Sequence, residues 1–237
     1  MLAVSSKTID GFVLILLIAL CLPRLSVAAG SEGSNPKQQL LDQMEIVQQD
    51  GTARAAAIKK GRDMIDTFCV YCHGQDGNSA NPDIPNLAQQ NPTFLLAQMQ
   101  QFAASDRKDD YAGVMQRLAK TFTPQQEISL AVYFASVPLT QPASGDRTLA
   151  AKGRSLFSAH CVVCHGPQGM GGGDFPRIAG QQPGYIVRTL RNFRDLDNDR
   201  RSSRMSGVTH DLTDADINEL AAYVASLPVK PGTYYPQ

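Results

Sequence analysis

"CVYCHGQDG" occupies residues 69–77 and "CVVCHGPQG" occupies residues 161–169. Each stretch sets two cysteines three positions apart and a histidine directly after the second: Cys69, Cys72 and His73, then Cys161, Cys164 and His165. The chain has 237 residues and only four histidines. Two of the four stand at these matching places, 92 positions apart, and such placement asks for one shared cause.

The match runs far beyond the cysteines. "KKGRDMIDTFCVYCHG" aligns with "AKGRSLFSAHCVVCHG" at an offset of 92, "IPNLAQQNPTFL" with "FPRIAGQQPGYI" at 91, and "MQRLAKTFTPQQEISLAVYFASVP" with "MSGVTHDLTDADINELAAYVASLP" at 90. The drift of two residues is what single-residue loop deletions produce. A repeat this long is one structural unit used twice. It places unit 1 at 52–139 and unit 2 at 147–230. The linker at 140–146 is rich in Pro, Ser and Gly. Residues 231–237 form a tail, and residues 30–51 an extension before the first unit.

The start of the chain reads as an export signal. Lys7 precedes an apolar run from Phe12 to Leu22, and the small residues of "SVAAGS" follow. The run is short for a membrane span. Cleavage is expected after Ala29, with Ala28 the alternative, so that 1–29 is removed. Cys21 lies inside the apolar run behind Leu20, where a lipoprotein signal wants a small residue, so it reads as filler. The full chain has zero formal charge. Removing Lys7, Arg24 and Asp10 leaves the mature chain with a single net negative charge. That balance gives no electrostatic reason to expect nucleic acid.

Each unit opens with a helical stretch, 53–68 or 148–160, and closes with a better-marked one. Thr123, Pro124 and Gln126 compose a capping box with proline at the first helical position, and Thr213 with Asp216 does the same in unit 2. Ile217, Leu220, Ala221 and Val224 follow at i, i+3, i+4 and i+7. Both helices are expected to stop before a proline, Pro138 or Pro228. No run alternates like a strand for long, so the expected fold class is all-α. In the extension, Leu40, Leu41, Met44 and Val47 share one face of a polar helix, with Asn35 capping, Pro36 in the first turn and Gly51 ending it. That helix either packs back on unit 1 or docks a membrane complex or catalytic subunit, which leaves peripheral membrane association open. A unit under ninety residues with long loops has little core of its own, so something must fill its middle.

Four uses of the cysteines compete. Structural disulfides suit an exported protein, yet i, i+3 pairs rarely join and the adjacent histidine stays unexplained. A redox dithiol wants a βαβ context. Zinc wants four ligands, and each unit offers one cysteine pair and one histidine. Attachment of a c-type haem uses every position: two thiols form thioethers to the porphyrin vinyls, and the following histidine is pinned under the iron. The porphyrin also supplies the missing apolar filling. The reading is two covalent haem c groups, on Cys69 and Cys72 and on Cys161 and Cys164.

On these residues the chain resembles the dihaem cytochromes c4: C-x-x-C-H-G twice, P-x-L or P-x-I segments at Pro85 and Pro176, and a late methionine before a helix ending Y-x-A-S-x-P. The resemblance covers about 52–230. It implies two tandem cytochrome c-like domains, each wrapped around one haem, related by a pseudo-twofold and used in periplasmic electron transfer. It implies that the carbonyls of Pro85 and Pro176 accept from the histidine rings. It also implies that Gly61 and Gly153 mark a helix crossing near Tyr133 and Tyr223.

The iron's second ligand separates carrier from enzyme, since His–Met ligation closes the iron and raises its potential. In unit 2, Met170 stands only five residues after His165, which leaves Met205. In unit 1 the repeat arbitrates: Met115 lies 23 residues before Pro138, as Met205 does before Pro228. Met99 falls opposite Leu190 and, like Met64, reads as core packing. The expected axial pairs are His73 with Met115 and His165 with Met205. His210 pairs in the repeat with Lys120 and His160 with Phe68, so neither role is shared. The charged run 191–204 reads as a solvated loop, with a docking rim as the alternative. No catalytic residue is expected. The expectation is a carrier moving single electrons between a quinol-oxidising complex or dehydrogenase and a terminal oxidase. The alternative is the cytochrome subunit of a sulfide- or alcohol-oxidising dehydrogenase. A dihaem peroxidase or thiosulfate-oxidising enzyme fits the two methionines poorly.

Overall fold

Capping side chains fix where the helices begin. In the computed structural model, which describes residues 35–104, 112–140, 146–195 and 204–230, the Asn35 side chain accepts from Lys37 N and opens α1 (Pro36–Gln49). Asp50 caps α2 (Gly51–Ile65) by accepting from Thr52 N and Ala53 N. Asn91 caps α4 (Pro92–Ala103) in the same way. Thr123 and Gln126 close a reciprocal capping box on α6 (Pro124–Ser136), and Thr213 and Asp216 close another on α11 (Asp214–Ser226). Each such cap is worth about 1 kcal/mol. The remaining helices are α3 (Val70–His73), α5 (Ala112–Ala119), α7 (Arg147–His160), α8 (Val162–His165), α9 (Pro183–Arg194) and α10 (Arg204–Thr209). α2 to α6 recur as α7 to α11. Among the described residues there is no strand, only the isolated bridge between Gly172 and Phe175, and no helix long and apolar enough to cross a membrane. The leader at 1–29, most of the linker, residues 196–203 of the charged run and the tail at 231–237 lie outside the described residues.

The boundaries of α1 and α2 differ from expectation: the opening helix of unit 1, read as 53–68, runs Gly51–Ile65. Gly51 does not terminate α1. Asp50, in extended conformation, serves as C-cap of α1 and N-cap of α2, and Gly51 is the first residue of α2. An aspartate that accepts two backbone N–H groups starts a helix strongly enough to dispense with a glycine stop.

Two hydrophobic cores form, one per unit. The first gathers Ile65, Leu95, Leu96, Leu130, Val132 and Phe134 from α2, α4 and α6. The second gathers Phe157, Ile186, Ile217, Leu220 and Val224 from α7, α9 and α11. The opening and closing helices of each unit cross at glycine. A Cβ built on Gly61 would lie 2.3 Å from the Ser129 carbonyl oxygen and 2.5 Å from Tyr133 Cβ. One built on Gly153 would lie 2.0 Å from the Glu219 carbonyl oxygen and 2.9 Å from Tyr223 Cβ. Both helices approach to backbone contact there, which no residue with a side chain allows.

α1 packs back on unit 1. Leu40 and Met44 are buried, and Leu41 and Val47 pack against the same core. Met44→Ala should therefore lower unfolding stability by about 2–4 kcal/mol, read as the midpoint of chemical denaturation. An unchanged midpoint would mean that α1 contributes nothing to unit 1.

The two units meet through a buried polar interface that obeys the repeat. The Gln90 side chain accepts from Arg177 N (2.8 Å) and donates to Arg177 O (2.9 Å). Its repeat partner Gln181 accepts from Asn86 N (2.7 Å) and donates to Asn86 O (3.0 Å). Positions 86 and 177 are themselves repeat partners at the offset of 91, so each carboxamide reads the same main-chain amide of the other unit. Around this pair, Asn91 Nδ2 donates to Gly173 O (2.6 Å) and Phe175 O (3.1 Å). Gln182 Nε2 donates to Ser79 O (2.5 Å). Arg177, 1% exposed, spreads its guanidinium over the carbonyls of Ala88, Gln89 and Ala179. Buried polar groups are stabilising only when satisfied, and this interface satisfies them across the two units.

Candidate haem sites

In both units the C-x-x-C-H motif folds as a single helical turn. Cys69 O accepts from His73 N (2.9 Å) and Cys161 O accepts from His165 N (2.9 Å). The i, i+3 spacing then sets the two cysteines of a pair on one side of the turn, with the histidine next to them at its end. His73 and His165 are 8% and 6% exposed. His73 Nδ1 donates to Pro85 O (2.9 Å) and His165 Nδ1 to Pro176 O (3.0 Å). Each carbonyl holds its ring in the tautomer that leaves Nε2 unprotonated. Nε2 of neither ring has a hydrogen-bond partner among the described residues. A buried imidazole with a free Nε2 lone pair can ligate a haem iron, and the two thiols beside it can hold that haem through its vinyl groups.

Electrostatics agree. Burial holds both imidazoles below the ordinary histidine range, with the proline carbonyls pulling weakly the other way. The rings are therefore neutral, as a metal ligand must be. Burial pushes the Cys69 thiol up and the Cys161 thiol up to about 11, opposite to the depressed pKa of a redox dithiol. No disulfide joins the four described cysteines. Among the described residues no cluster of three or more His, Cys, Asp or Glu side chains is arranged to hold a metal ion.

The methionines divide as the repeat divides them. Met64 and Met99 pack against the first core, and Met170 against the second. Met115 and Met205 are half-buried at equivalent places on α5 and α10, outside both clusters. His160 and His210 are exposed. Of the charged run, Arg194 pairs with Asp195 and Asp214, and Arg191 with Asp214, which ties the end of α9 to the start of α11.

Two residues beside the second site escape sequence reasoning. Phe175 is held by reciprocal bonds with Gly172 (3.0 and 3.1 Å), and its ring stands edge-on to His165 at 6.3 Å between centroids. Arg204, directly before Met205, lies over the Phe175 ring with Cζ 5.7 Å from the centroid. The only sequence trace of this arrangement is its absence from unit 1, where Ile84 and Val114 occupy the repeat positions.

The family model described as cytochrome c matches twice, over residues 58–137 and 150–228. Cytochrome c4 of Thiocapsa roseopersicina is 33% identical over 171 residues, which is 67% of this chain and 86% of that protein. The crystal structure of reduced recombinant cytochrome c4 from Pseudomonas stutzeri aligns with a TM-score of 0.65 at 29% identity, over 72% of this chain and 98% of that one. A thiosulfate dehydrogenase electron acceptor of Stutzerimonas stutzeri is 27% identical over 68% of this chain and 80% of its own length. With two C-x-x-C-H turns, each ending in a buried histidine, on two equivalent helical units, the chain belongs to the cytochrome c4 family, carries two covalently bound haem c groups and serves electron transfer.

Proposed function

We propose that Cys69 and Cys72 bind the first haem and Cys161 and Cys164 the second, with His73 and Met115 as axial ligands of one iron and His165 and Met205 of the other. The haem supplies a one-electron iron couple. The chain's own residues decide what that couple can do. Pro85 and Pro176 aim the imidazoles by accepting their Nδ1 protons. Met115 and Met205 would hold the irons opposite the histidines, leaving each haem to exchange electrons rather than bind substrate. The observation that carries this reading is the paired arrangement: two buried histidines with the same proline-carbonyl bond, and two methionines at the same repeat position outside the packed cores.

The protein then works in the periplasm, exported by the segment at 1–29. It shuttles electrons between a quinol-oxidising complex or a dehydrogenase and a terminal oxidase. A second reading, the electron-accepting partner of a periplasmic dehydrogenase, draws on the relative described as a thiosulfate dehydrogenase electron acceptor. Purification from the native host separates the two, since a free carrier comes alone.

The ligand assignment has a sharper test. Met115→Ala and Met205→Ala should each remove about half of the sulfur–iron charge-transfer absorption of the oxidised protein and lower the potential of one haem. Met99→Ala should leave the absorption whole. Loss of absorption in Met99→Ala, with none in Met115→Ala, would show that the repeat has selected the wrong methionine.

A further inference from the structure

The two units are not electrostatic copies. In unit 2 a continuous arrangement leads from the imidazole of His165 to the Phe175 ring, 6.3 Å between centroids, and from that ring to the Arg204 guanidinium, 5.7 Å above it. In unit 1 the repeat positions hold Ile84, buried, and Val114, 49% exposed, so ring and cation are both missing. Phe175 is held in place from two sides. Its backbone closes a tight turn with Gly172, and its carbonyl accepts from Asn91 of unit 1 (3.1 Å). The cation is thus seated on a fixed aromatic face, with Met205 as its neighbour in the chain.

From this geometry we infer that Arg204, held over Phe175, is a positioning residue that raises the affinity of unit 2 for the transferred electron. The inference rests on the ligand assignment proposed above. The oxidised iron carries one more positive charge than the reduced iron. A fixed cation nearby repels that extra charge and so favours the reduced form. Arg204 is exposed, and water and salt weaken its field. The stack on Phe175 limits that loss by keeping the guanidinium from swinging into solvent. Val114 exerts no such field, so the contribution belongs to one haem alone.

The test is a redox titration of the holoprotein at fixed ionic strength, resolved into two one-electron waves. Met205→His, a ligand exchange, marks which wave belongs to unit 2. Arg204→Gln should lower that wave by about threefold to tenfold in its reduction equilibrium constant, which at 59 mV per tenfold is roughly 30–60 mV, and should leave the other wave in place. Phe175→Leu should lower the same wave in the same direction. Arg204→Lys, which keeps the charge, should retain most of the parent value. The proposal is overturned if Arg204→Gln moves neither wave, moves both alike, or acts no differently from Arg204→Lys. An unmoved wave in Phe175→Leu would remove the ring from the proposal. Should Met205→His displace neither wave, the ligand assignment fails and the tuning built on it falls with it. Should Met205→His displace one wave and Arg204→Gln none, the assignment stands and the tuning fails.

Discussion

Serine at both Cys161 and Cys164 should yield a protein with one covalent haem, lighter than the parent by one haem mass, and with unit 2 unfolded. The parent itself should exceed its mature polypeptide by two haem masses. The reasoning is one of volume. The second core gathers a few side chains from α7, α9 and α11, with Ala179 and Leu212 added from the connections. A domain this small depends on what fills its centre. Serine cannot form a thioether, and a group held only by His165 and Met205 is lost more readily than one joined by two covalent bonds. Intact mass and helical circular dichroism together decide the matter. A double-serine variant still carrying two haem masses would end the attachment scheme.

Gly153→Ala should cost about 3 kcal/mol, at the upper end of overpacking effects. The added carbon would sit 2.0 Å from the Glu219 carbonyl oxygen, and a backbone atom cannot rotate aside as a side-chain tip would. α7 and α11 would have to separate, opening the contact between Phe157 and Tyr223, whose rings lie 5.2 Å apart. Gly61→Ala should behave alike in unit 1, where the carbon would meet Ser129 O at 2.3 Å. Gly51→Ala is the control: nothing lies within 4 Å, and alanine is the better helix former. Denaturation midpoints would measure all three. Equal effects at 51 and 153 would refute the close crossing.

Much of this was readable from residue order. The cysteine–histidine spacing, the capping residues Thr123 and Thr213, and the stripe Ile217, Leu220, Ala221 and Val224 all act through neighbours within a turn or two, and local interactions leave local patterns. What stayed hidden acts across the fold. Gln90 and Gln181 served only as letters that align, because their partners are main-chain amides some ninety residues away, and a peptide group has no signature of its own. Phe175 and Arg204 meet only after α10 and the turn before α9 are in place. Glu127 breaks the apolar pattern of α6 yet is buried, with its carboxylate receiving the Gln100 side chain; burial pushes its pKa up. Position 89 is another such case. It adopts φ +51° where its counterpart Gly180 adopts φ +62°. A glutamine sits there with its side chain bonded to Lys230 O and Leu139 N, contacts that a glycine could not make.

The reciprocal carboxamides also bear on how a duplicated gene can drift. When two copies of a domain first fuse, each contact at their junction occurs twice, i with j and j with i, and a contact between side chains would tie the two positions to change together. Gln90 and Gln181 avoid that bond of fate, since each holds a peptide N–H and C=O that any residue other than proline offers. Position 86 has become asparagine and position 177 arginine, one short and neutral, the other long and charged, while the clasp at each has kept the same form. A junction written in backbone atoms leaves the halves free to diverge in chemistry without coming apart.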